Sequence, residues 1–362
     1  MSENASTSTF LPQFPDEATS EGIEARRKFT CDMELTDTAT LGPCPPYLRQ
    51  TTIDIPLADG FKSHTILVHP SQAQTESPAP TKCPLIVYIH GGSFSYGTPA
   101  FVLSPARAFA ELLGAVVACP SYKLAPEHPF PAGVHSAWES IAWLSSPENL
   151  NSGPLNNTGV QVDPTLGFVL AGTSAGANIA AVIAGIAAAR RSGREDLSAS
   201  LPKMGPRITG LFASIPKLLS EEIVPTKYAA AFRSRQGNAN APLITTETLR
   251  NSESRLRADV KSPWYSPVNL DLAALRDEHP AKVYVQCGEL DILRDDGVIY
   301  QKILEDGGVC ETKIDVLMGY DHAAWVSLPL PEAHAEEIKV KTLDGMAWLL
   351  GKSWDRSKSL PY

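Results

Sequence analysis

The sequence predicts an α/β fold, in which a mostly parallel central sheet is opened by an antiparallel hairpin and carries helices on both faces. Short runs that are apolar throughout recur along the chain, which is typical of strands buried on both faces of a parallel sheet. Segments of helix length separate these runs, as crossover connections require. Upstream, TTIDIPL and HTILVHP alternate apolar and polar residues and flank Ala58-Asp59-Gly60, the turn chemistry of a β-hairpin.

The individual elements follow from the same pattern. The apolar runs predict buried strands at 85–89, 115–119, 168–171, 208–215, 283–287 and 313–317. The intervening segments predict helices at 105–113, 133–144, 175–190, 296–305 and 333–350. Residues 217–267 interrupt the alternation with two helix-like pieces and polar linkers, which indicates an insertion. A helix is also predicted at 21–29, and because isolated helices this short are marginal in water, it must dock on the rest of the protein.

Composition and charge narrow the class of partner. The 362 residues carry a formal net charge of −9, which argues against nucleic acid because its binding depends largely on clustered Lys and Arg. The longest strongly apolar run, 179–189, is too short to cross a bilayer, and the first residues lack a secretory-signal pattern. We therefore expect no membrane span and a cytoplasmic location. The six cysteines lie singly, which favours neither a metal site nor a disulfide scaffold.

The pentapeptide Gly172-Thr173-Ser174-Ala175-Gly176 is the first motif that carries chemistry. It follows the apolar run FVLA and precedes the small-residue segment ANIAAVIAGIAAA. A serine on such a sharp strand-to-helix turn is forced outward above the sheet, and the helix N-terminus offers free N–H groups where negative charge would develop. Ser174 is therefore the candidate nucleophile. The alternative is a glycine-rich turn whose serine does no chemistry.

A second motif, His90-Gly91-Gly92-Ser93, directly follows the apolar run LIVYI. Glycines allow backbone amides to face a cavity without an intervening Cβ, as an oxyanion-binding loop requires. We expect His90 and Gly91 to orient this loop, with no proton transfer by His90. The alternatives are a plain turn after a strand and a histidine packed in the core.

A serine hydroxyl is a poor nucleophile at neutral pH unless an imidazole accepts its proton. Of the eight histidines, His322 follows the late run IDVLMGY by a short loop, which brings it to the sheet edge where Ser174 emerges. The run VYVQC ends in GELD at the same edge, and there we choose Asp291 over Glu289 as the carboxylate that fixes the imidazole. The acids of 294–297 (RDDG) are expected to be N-cap and first-turn residues of a helix. The order Ser, Asp, His is that of an α/β-hydrolase.

These residues, together with SYKLAPEHPFP at 121–131, resemble the hormone-sensitive-lipase family of α/β-hydrolases, the carboxylesterases with an HGG loop. The pattern Y-[RK]-L-A-P-E-x-x-[FY]-P is long, and the similarity extends in order from about Thr51 to the C-terminus. The family's serine pentapeptide is GDSAG or GTSAG, and this chain is similar to the GTSAG branch. The resemblance implies an α/β-hydrolase fold with a helical cap. It also implies a catalytic triad of Ser174, Asp291 and His322. The oxyanion hole that it implies consists of the backbone amides of Gly92, Ser93 and Ala175.

The family also implies a division of the chain and a possible assembly. Residues 1–50 would form an N-terminal cap segment, 51–216 and 268–362 the catalytic domain, and 217–267 the cap insertion. By analogy with some relatives, the final helix would pair across a two-fold axis to give a homodimer. Two positions depart from the family pattern: Ser93 replaces the third glycine of HGGG, and in DHAAW an alanine replaces the usual glycine two residues after His322.

The expected activity is hydrolysis of a small-molecule carboxylic ester, moderately hydrophobic and of small to medium size, through an acyl-enzyme and without a cofactor. The aromatic residues expected to line its pocket are Phe94, Tyr96, Tyr228, Trp264 and Trp325. One alternative uses the same triad on an amide, a lactone or an acyl transfer within a biosynthetic pathway. A second alternative is a ligand-binding scaffold without catalysis, which the retained His322 disfavours.

Overall fold

The computed structural model describes residues 19–71, 79–326 and 332–360, and of residues 332–334 only the backbone. The first 18 residues of the predicted N-terminal cap segment therefore lie outside the described residues. Within the described ranges the strands are β1 Leu48–Pro56, β2 Lys62–Pro70, β3 Thr81–Cys83, β4 Leu85–Ile89, β5 Val116–Pro120, β6 Val160–Val162, β7 Phe168–Thr173, β8 Gly210–Ser214, β9 Lys282–Gly288 and β10 Glu311–Leu317. The α-helices there are α1 Ser20–Leu41, α2 Leu103–Leu113, α3 Ala132–Leu144, α4 Pro147–Asn151, α5 Ala175–Arg191, α6 Ser234–Gly237, α7 Thr246–Leu256, α8 Arg294–Asp306 and α9 Glu332–Leu350.

The large sheet has the strand order β1-β2-β5-β4-β7-β8-β9-β10. Strand β2 pairs antiparallel with both β1 and β5, whereas every pairing from β5 to β10 is parallel. The predicted fold class is therefore confirmed. Strands β3 and β6 form a separate parallel pair, which the sequence did not predict because a three-residue strand is too short to show a hydrophobic period.

Each face of the sheet carries its own hydrophobic core. One face packs against α3, α5 and α8, through residues such as Trp138, Ile183 and Tyr300. The other face packs against α2 and α9, through residues such as Phe109 and Met346. Strands β4, β5, β7 and β8 are buried along their whole length, which explains why their sequences are apolar throughout.

Two segments outside this layered structure reach the carboxyl ends of the strands, and we call α1 together with residues 217–267 the covering segments. Helix α1 extends to Leu41, so the predicted end at residue 29 is wrong. The helix continues because no glycine or proline stops it before the C-cap Gly42, whose N–H donates hydrogen bonds to the carbonyls of Thr38 and Ala39.

The insertion, residues 217–267, contains α6, α7 and two 3₁₀ turns, so only α7 is a regular helix of the kind predicted. No helix in the described part of the chain is both long and apolar enough to cross a membrane.

Candidate active site

Ser174 occupies the turn between β7 and α5, where it is the N-cap residue of the helix. Its backbone has φ 54° and ψ −117°, a conformation that costs free energy for a residue with a side chain and that turns the hydroxyl away from the sheet. The turn is this tight because α5 abuts the end of β4. A Cβ at Gly176 would collide with the backbone carbonyls of Ile89 and His90, so only glycine fits at that position.

His322 and Asp291 lie beside Ser174 and form a continuous hydrogen-bonded line with it. The Nε2 atom of His322 is 2.9 Å from Ser174 Oγ, and its Nδ1 atom is 2.8 Å from Asp291 Oδ2. Asp291 is fully buried and His322 is 7% exposed, so the interaction is shielded from bulk water. The carboxylate therefore holds the imidazole with Nδ1 protonated and Nε2 facing the serine hydroxyl, the arrangement that proton removal from Ser174 requires.

The loop after β9 separates the two carboxylates that the sequence offered. Asp291 Oδ1 accepts a hydrogen bond from the amide of Leu293 at 2.8 Å, which fixes the side chain toward His322. Glu289 instead accepts from the amide of Gly319 at 2.9 Å. The choice of Asp291 over Glu289 therefore agrees with where the two side chains point.

The expectation that RDDG supplies an N-cap is wrong, since the N-cap of α8 is Leu293 and no side chain caps it. Asp295 and Asp296 lie in the first turn, as expected, but their carboxylates bond the insertion. Asp295 Oδ2 accepts from the amides of Arg233 and Ser234, both at 2.6 Å. Asp296 Oδ1 accepts from the amides of Leu218 and Leu219, both at 2.8 Å. Both acids therefore anchor residues 217–267 to the catalytic scaffold.

The loop that begins with His90–Gly91–Gly92–Ser93 curls beside Ser174, and its backbone is left-handed at residues 92–94. Gly92 has φ 112°, and Ser93 and Phe94 have φ 51° and 58°. A Cβ at Gly92 would run into the carbonyl of Tyr96, so glycine is required there. Among the described residues, no protein acceptor takes a hydrogen bond from the amides of Gly92, Ser93 or Ala175. These amides are available to a negatively charged oxygen at the site.

His90 is fully enclosed beneath this loop. Its Nδ1–H donates to the carbonyl of Gly91 at 2.7 Å, and its ring stacks on Tyr122 with centroids 4.5 Å apart. Burial lowers the pKa of His90 to about 4, so the imidazole is neutral at physiological pH. These contacts support the expectation that His90 orients the loop and stays out of the proton transfer.

The covering segments hold the same loop from outside. In α1, the Nε–H of Arg27 donates to the carbonyl of Ser95 at 2.8 Å, and the Glu34 carboxylate accepts from the amide of Thr98 at 2.8 Å. In α7, the Ser252 hydroxyl donates to the carbonyl of Ser93 at 3.1 Å. The backbone of the loop is thus fixed by side chains from both covering segments.

Two cavities open at Ser174. The larger one has a volume of about 80 Å³, and its lining includes Ser174, His322, Phe101 and, from α1, Phe29. The smaller one has a volume of about 20 Å³, and its lining includes Ser174 and Ala175 but not His322. Residues that sequence reasoning missed also line these cavities, namely Arg26, Phe29, Thr30, Met33, Lys217, Leu243 and Ile244. They lie on the covering segments, where no local sequence pattern indicates that a side chain faces the site. Lys217 is the one exception among them, because it closely follows the end of β8.

The structure divides the five aromatic residues expected to line the pocket. Tyr96 lines both cavities and Phe94 lines the smaller one. The other three line neither, which corrects that part of the expectation: Tyr228 donates to Asp306 at 2.7 Å, Trp264 packs edge-on against Trp138, and Trp325 donates to Ser104 at 2.9 Å. Each of the three satisfies its polar atom or buries its ring elsewhere, which is the commoner fate of a large aromatic side chain.

Comparisons with known proteins identify the family of this chain. The family model for the alpha/beta hydrolase fold matches residues 86–326. The AB hydrolase superfamily protein B1A11.02 of Schizosaccharomyces pombe is 28% identical over 311 residues, which cover 86% of this chain and 83% of that protein. Carboxylesterase NlhH of Mycobacterium tuberculosis is 30% identical over 242 residues, 62% of this chain and 62% of that enzyme. The solved structure of vibralactone cyclase superposes with a TM-score of 0.76 at 25% identity, covering 94% of this chain and 92% of that one.

The protein therefore belongs to the α/β-hydrolase family, in its hormone-sensitive-lipase-like group. Within that family it is a carboxylic ester hydrolase.

Proposed function

We propose that the protein hydrolyses carboxylic esters of small to medium, moderately hydrophobic molecules through an acyl-enzyme intermediate on Ser174. The observation that carries this proposal is the line of hydrogen bonds from Asp291 through His322 to Ser174, with distances of 2.8 and 2.9 Å. The amides of Gly92, Ser93 and Ala175, which have no protein acceptor among the described residues, lie beside these hydrogen bonds. Removal of the proton from Ser174 speeds acyl transfer little unless donors of this kind also stabilise the oxyanion.

In the first half-reaction, Ser174 Oγ attacks the ester carbonyl while His322 Nε2 accepts the hydroxyl proton. Asp291 stabilises the imidazolium that forms. The carbonyl oxygen becomes an oxyanion that accepts hydrogen bonds from the amides of Gly92, Ser93 and Ala175. The C–O bond to the alcohol then breaks, and His322 returns the proton to the departing alkoxide.

In the second half-reaction, water takes the place of the alcohol. His322 removes a proton from the water as its oxygen attacks the acyl-serine carbonyl, and the same amides hold the second oxyanion. The bond to Ser174 Oγ breaks, and the proton on His322 passes back to the serine. The acid leaves, and the balance of atoms requires no cofactor.

The larger cavity has a volume of only about 80 Å³, which supports a substrate no more than small to medium in size. Phe29, Met33, Phe101 and Val326 make the larger cavity mainly apolar, which favours a moderately hydrophobic alcohol group.

The experiment that tests this proposal is Ser174→Ala. Turnover of p-nitrophenyl acetate and butyrate is expected to fall by about 10⁴-fold or more, because the residual rate depends on the oxyanion donors and binding alone. A fluorophosphonate probe is expected to label the native protein and not the variant. Ser192→Ala, at the C-terminal end of the same helix, is the matched control and retains both activities. Unchanged turnover in Ser174→Ala would refute the assignment, and an unlabelled native protein would point to a binding scaffold.

A second candidate keeps the triad but passes the acyl group to a hydroxyl of the same substrate, which forms a lactone. The likeness to the solved structure of vibralactone cyclase, with a TM-score of 0.76 over 94% of this chain, favours it. Mass spectrometry of the products of a hydroxy-ester distinguishes the two reactions, because hydrolysis adds the elements of water and cyclisation does not. Product that lacks the added water would replace hydrolysis with cyclisation as the proposed reaction.

A further inference from the structure

The loop after β4 carries a side chain at a position where the family pattern has none. Ser93 stands in place of the third glycine of HGGG, and its amide is one of the three donors of the proposed oxyanion hole. The residue lines both cavities at Ser174. The loop also contacts the nucleophile directly, since a Cβ at Gly91 would lie 3.2 Å from the Cβ of Ser174. The side chain of Ser93 is therefore attached within the site, beside the nucleophile.

A neighbouring phenol fixes the direction of the Ser93 hydroxyl. The hydroxyl of Tyr96 donates to Ser93 Oγ at 3.0 Å, and Tyr96 also lines both cavities. A serine hydroxyl has one proton and two lone pairs, so Ser93 still has its own proton to donate. Among the described residues, no protein acceptor takes that proton. A hydroxyl that accepts a hydrogen bond is polarised and becomes a stronger donor, so Ser93 offers a polarised donor to the site.

The backbone of Ser93 has a conformation that favours glycine. Its φ is 51°, in the left-handed region that a residue with a Cβ adopts at a cost in free energy. Two hydroxyls hold the residue there, since Ser252 and Ser95 donate to its carbonyl at 3.1 and 3.2 Å. Glycine would avoid this cost and still supply the amide. A strained serine that its surroundings hold in place points to a function for the side chain.

The amide of the same residue identifies the acceptor of the free proton. In the proposed mechanism, the Ser93 N–H binds the oxygen that becomes negative when Ser174 attacks the ester. Only Cα and Cβ separate Ser93 Oγ from that nitrogen, so the hydroxyl lies beside the same oxygen. Serine hydroxyls act as oxyanion donors together with backbone amides, and each donor aimed at the developing charge stabilises the transition state.

We infer that the Ser93 hydroxyl is a fourth donor of the oxyanion hole and that Tyr96 positions it. This inference rests on the proposed function of Ser174. Ser93 is then a catalytic residue, because its hydroxyl contacts the oxyanion, and Tyr96 is a positioning residue, because it acts through Ser93. The hydroxyl donates a hydrogen bond and keeps its proton throughout, so the bonds made and broken in the two half-reactions stay the same.

Ser93→Ala tests the donor, because it keeps the Cβ and the amide and removes only the hydroxyl. On p-nitrophenyl acetate, kcat is expected to fall by about tenfold or more with little change in KM, because the hydroxyl binds charge that develops only in the transition state. The Ki of ethyl trifluoromethyl ketone, whose adduct with Ser174 carries an oxyanion, is expected to rise by a similar factor.

Ser93→Gly separates the hydroxyl from the backbone strain. It is expected to lose as much kcat as Ser93→Ala, although glycine adopts the left-handed conformation freely. This variant puts no new strain on the loop, so it remains informative if Ser93→Ala fails to fold.

Tyr96→Phe tests the positioning role. It is expected to lower kcat by about threefold to tenfold in the native enzyme and to cause no further loss in Ser93→Ala, because Tyr96 acts through the Ser93 hydroxyl. Tyr47→Phe is the matched control. Tyr47 is 52% exposed and lines neither cavity, so removal of its hydroxyl is expected to leave kcat unchanged.

Native or higher kcat in Ser93→Gly overturns the inference, because the hydroxyl would then contribute nothing to the chemistry. An equal loss from Tyr96→Phe in the native enzyme and in Ser93→Ala also overturns it, because the phenol would then act independently of Ser93. If turnover still depends on Ser174 in these cases, the proposed ester hydrolysis stands. If Ser174→Ala leaves turnover unchanged, the proposed function fails first.

Discussion

The strand ends that carry the predicted triad and the segments that cover them are held in place by different forces. Strands β4, β7 and β8 are fully buried, and apolar packing on both faces fixes where Ser174 and the glycine-rich loop emerge. The covering segments instead attach through charged side chains that bond distant backbone atoms, such as Arg27 to the carbonyl of Ser95 and Asp296 to the amide of Leu218. Apolar burial of the strands thus positions the residues of the predicted triad. The polar anchors position the covering segments, which decide which substrates enter the site.

Removal of the polar anchor Asp296 is expected to have the largest effect of the substitutions that test this comparison. Asp296 is fully buried, accepts from the amides of Leu218 and Leu219, and pairs with Arg235 at 2.9 Å. We expect Asp296→Ala to lower the free energy of unfolding by about 3–5 kcal/mol, because one partner of a buried ion pair and two amides lose their bonds. Urea titration monitored by circular dichroism measures the loss.

Asp296→Asn is the matched control, because it keeps an oxygen for the two amides and removes only the charge. It is expected to lie between the native protein and Asp296→Ala. A loss below about 1 kcal/mol in Asp296→Ala would mean that apolar contacts, and not this anchor, hold the insertion.

The same contrast explains which features could be predicted from the sequence. Five buried strands, the turn at Ser174 and the sheet edge shared by Asp291 and His322 follow from local runs, because each run needs only to be apolar and each motif sits at its end. The sixth run, 313–317, does form a strand, but its predicted burial is wrong, because β10 lies at the edge of the sheet and is mostly exposed or half-buried. The place where α1 docks could not be predicted in this way. It depends on contacts such as that of Arg27 with Glu127, 100 residues apart in sequence, and no local pattern encodes them.

The roles of Asp295, Asp296 and Trp325 show the same limit. An acid in a first helical turn is commonly explained by the helix dipole, yet here each acid binds the backbone of the insertion. Trp325 follows His322 closely in sequence, but its ring turns into the core beside Phe109. The direction of a side chain depends on partners that only the fold brings near.

Two buried histidines test the scaffold at opposite ends of its strands. Burial lowers the pKa of His90, beneath the oxyanion loop, and of His279, before β9, to about 4. Their ordinary value is 6.5, so between pH 6.5 and 4 the unfolded chain binds more protons than the folded protein, and stability falls as pH falls. Each histidine contributes a slope of up to about 1.4 kcal/mol per pH unit.

We therefore expect His279→Gln to reduce the slope of the unfolding free energy against pH by one proton in that window. Chemical denaturation at pH 7, 6, 5 and 4 measures it. KM for a p-nitrophenyl ester at pH 7 is expected to stay unchanged, since His279 lies at the end of β9 away from the site. An unaltered slope would show that His279 is protonated in the folded protein.

The smallest expected effect concerns the link between α1 and the oxyanion loop, and it tests whether the covering segments influence the chemistry at all. Arg27 forms a two-pronged ion pair with Glu127 at 2.7 and 2.8 Å, and it also donates to the carbonyls of Ser95 and Ala125. The ion pair is partly exposed, so it contributes under about 1 kcal/mol to stability, but the bond to Ser95 restrains the loop that supplies the amides of Gly92 and Ser93.

Arg27→Met is expected to lower kcat on p-nitrophenyl butyrate by about threefold to tenfold with little change in KM. A looser loop weakens binding of the oxyanion in the transition state and does not change binding of the substrate in the ground state. Arg27→Lys, which keeps the charge without the planar fork, should recover only part of the loss. Full recovery by lysine would assign the effect to charge alone, and native kcat in both variants would confine the covering segments to substrate selection.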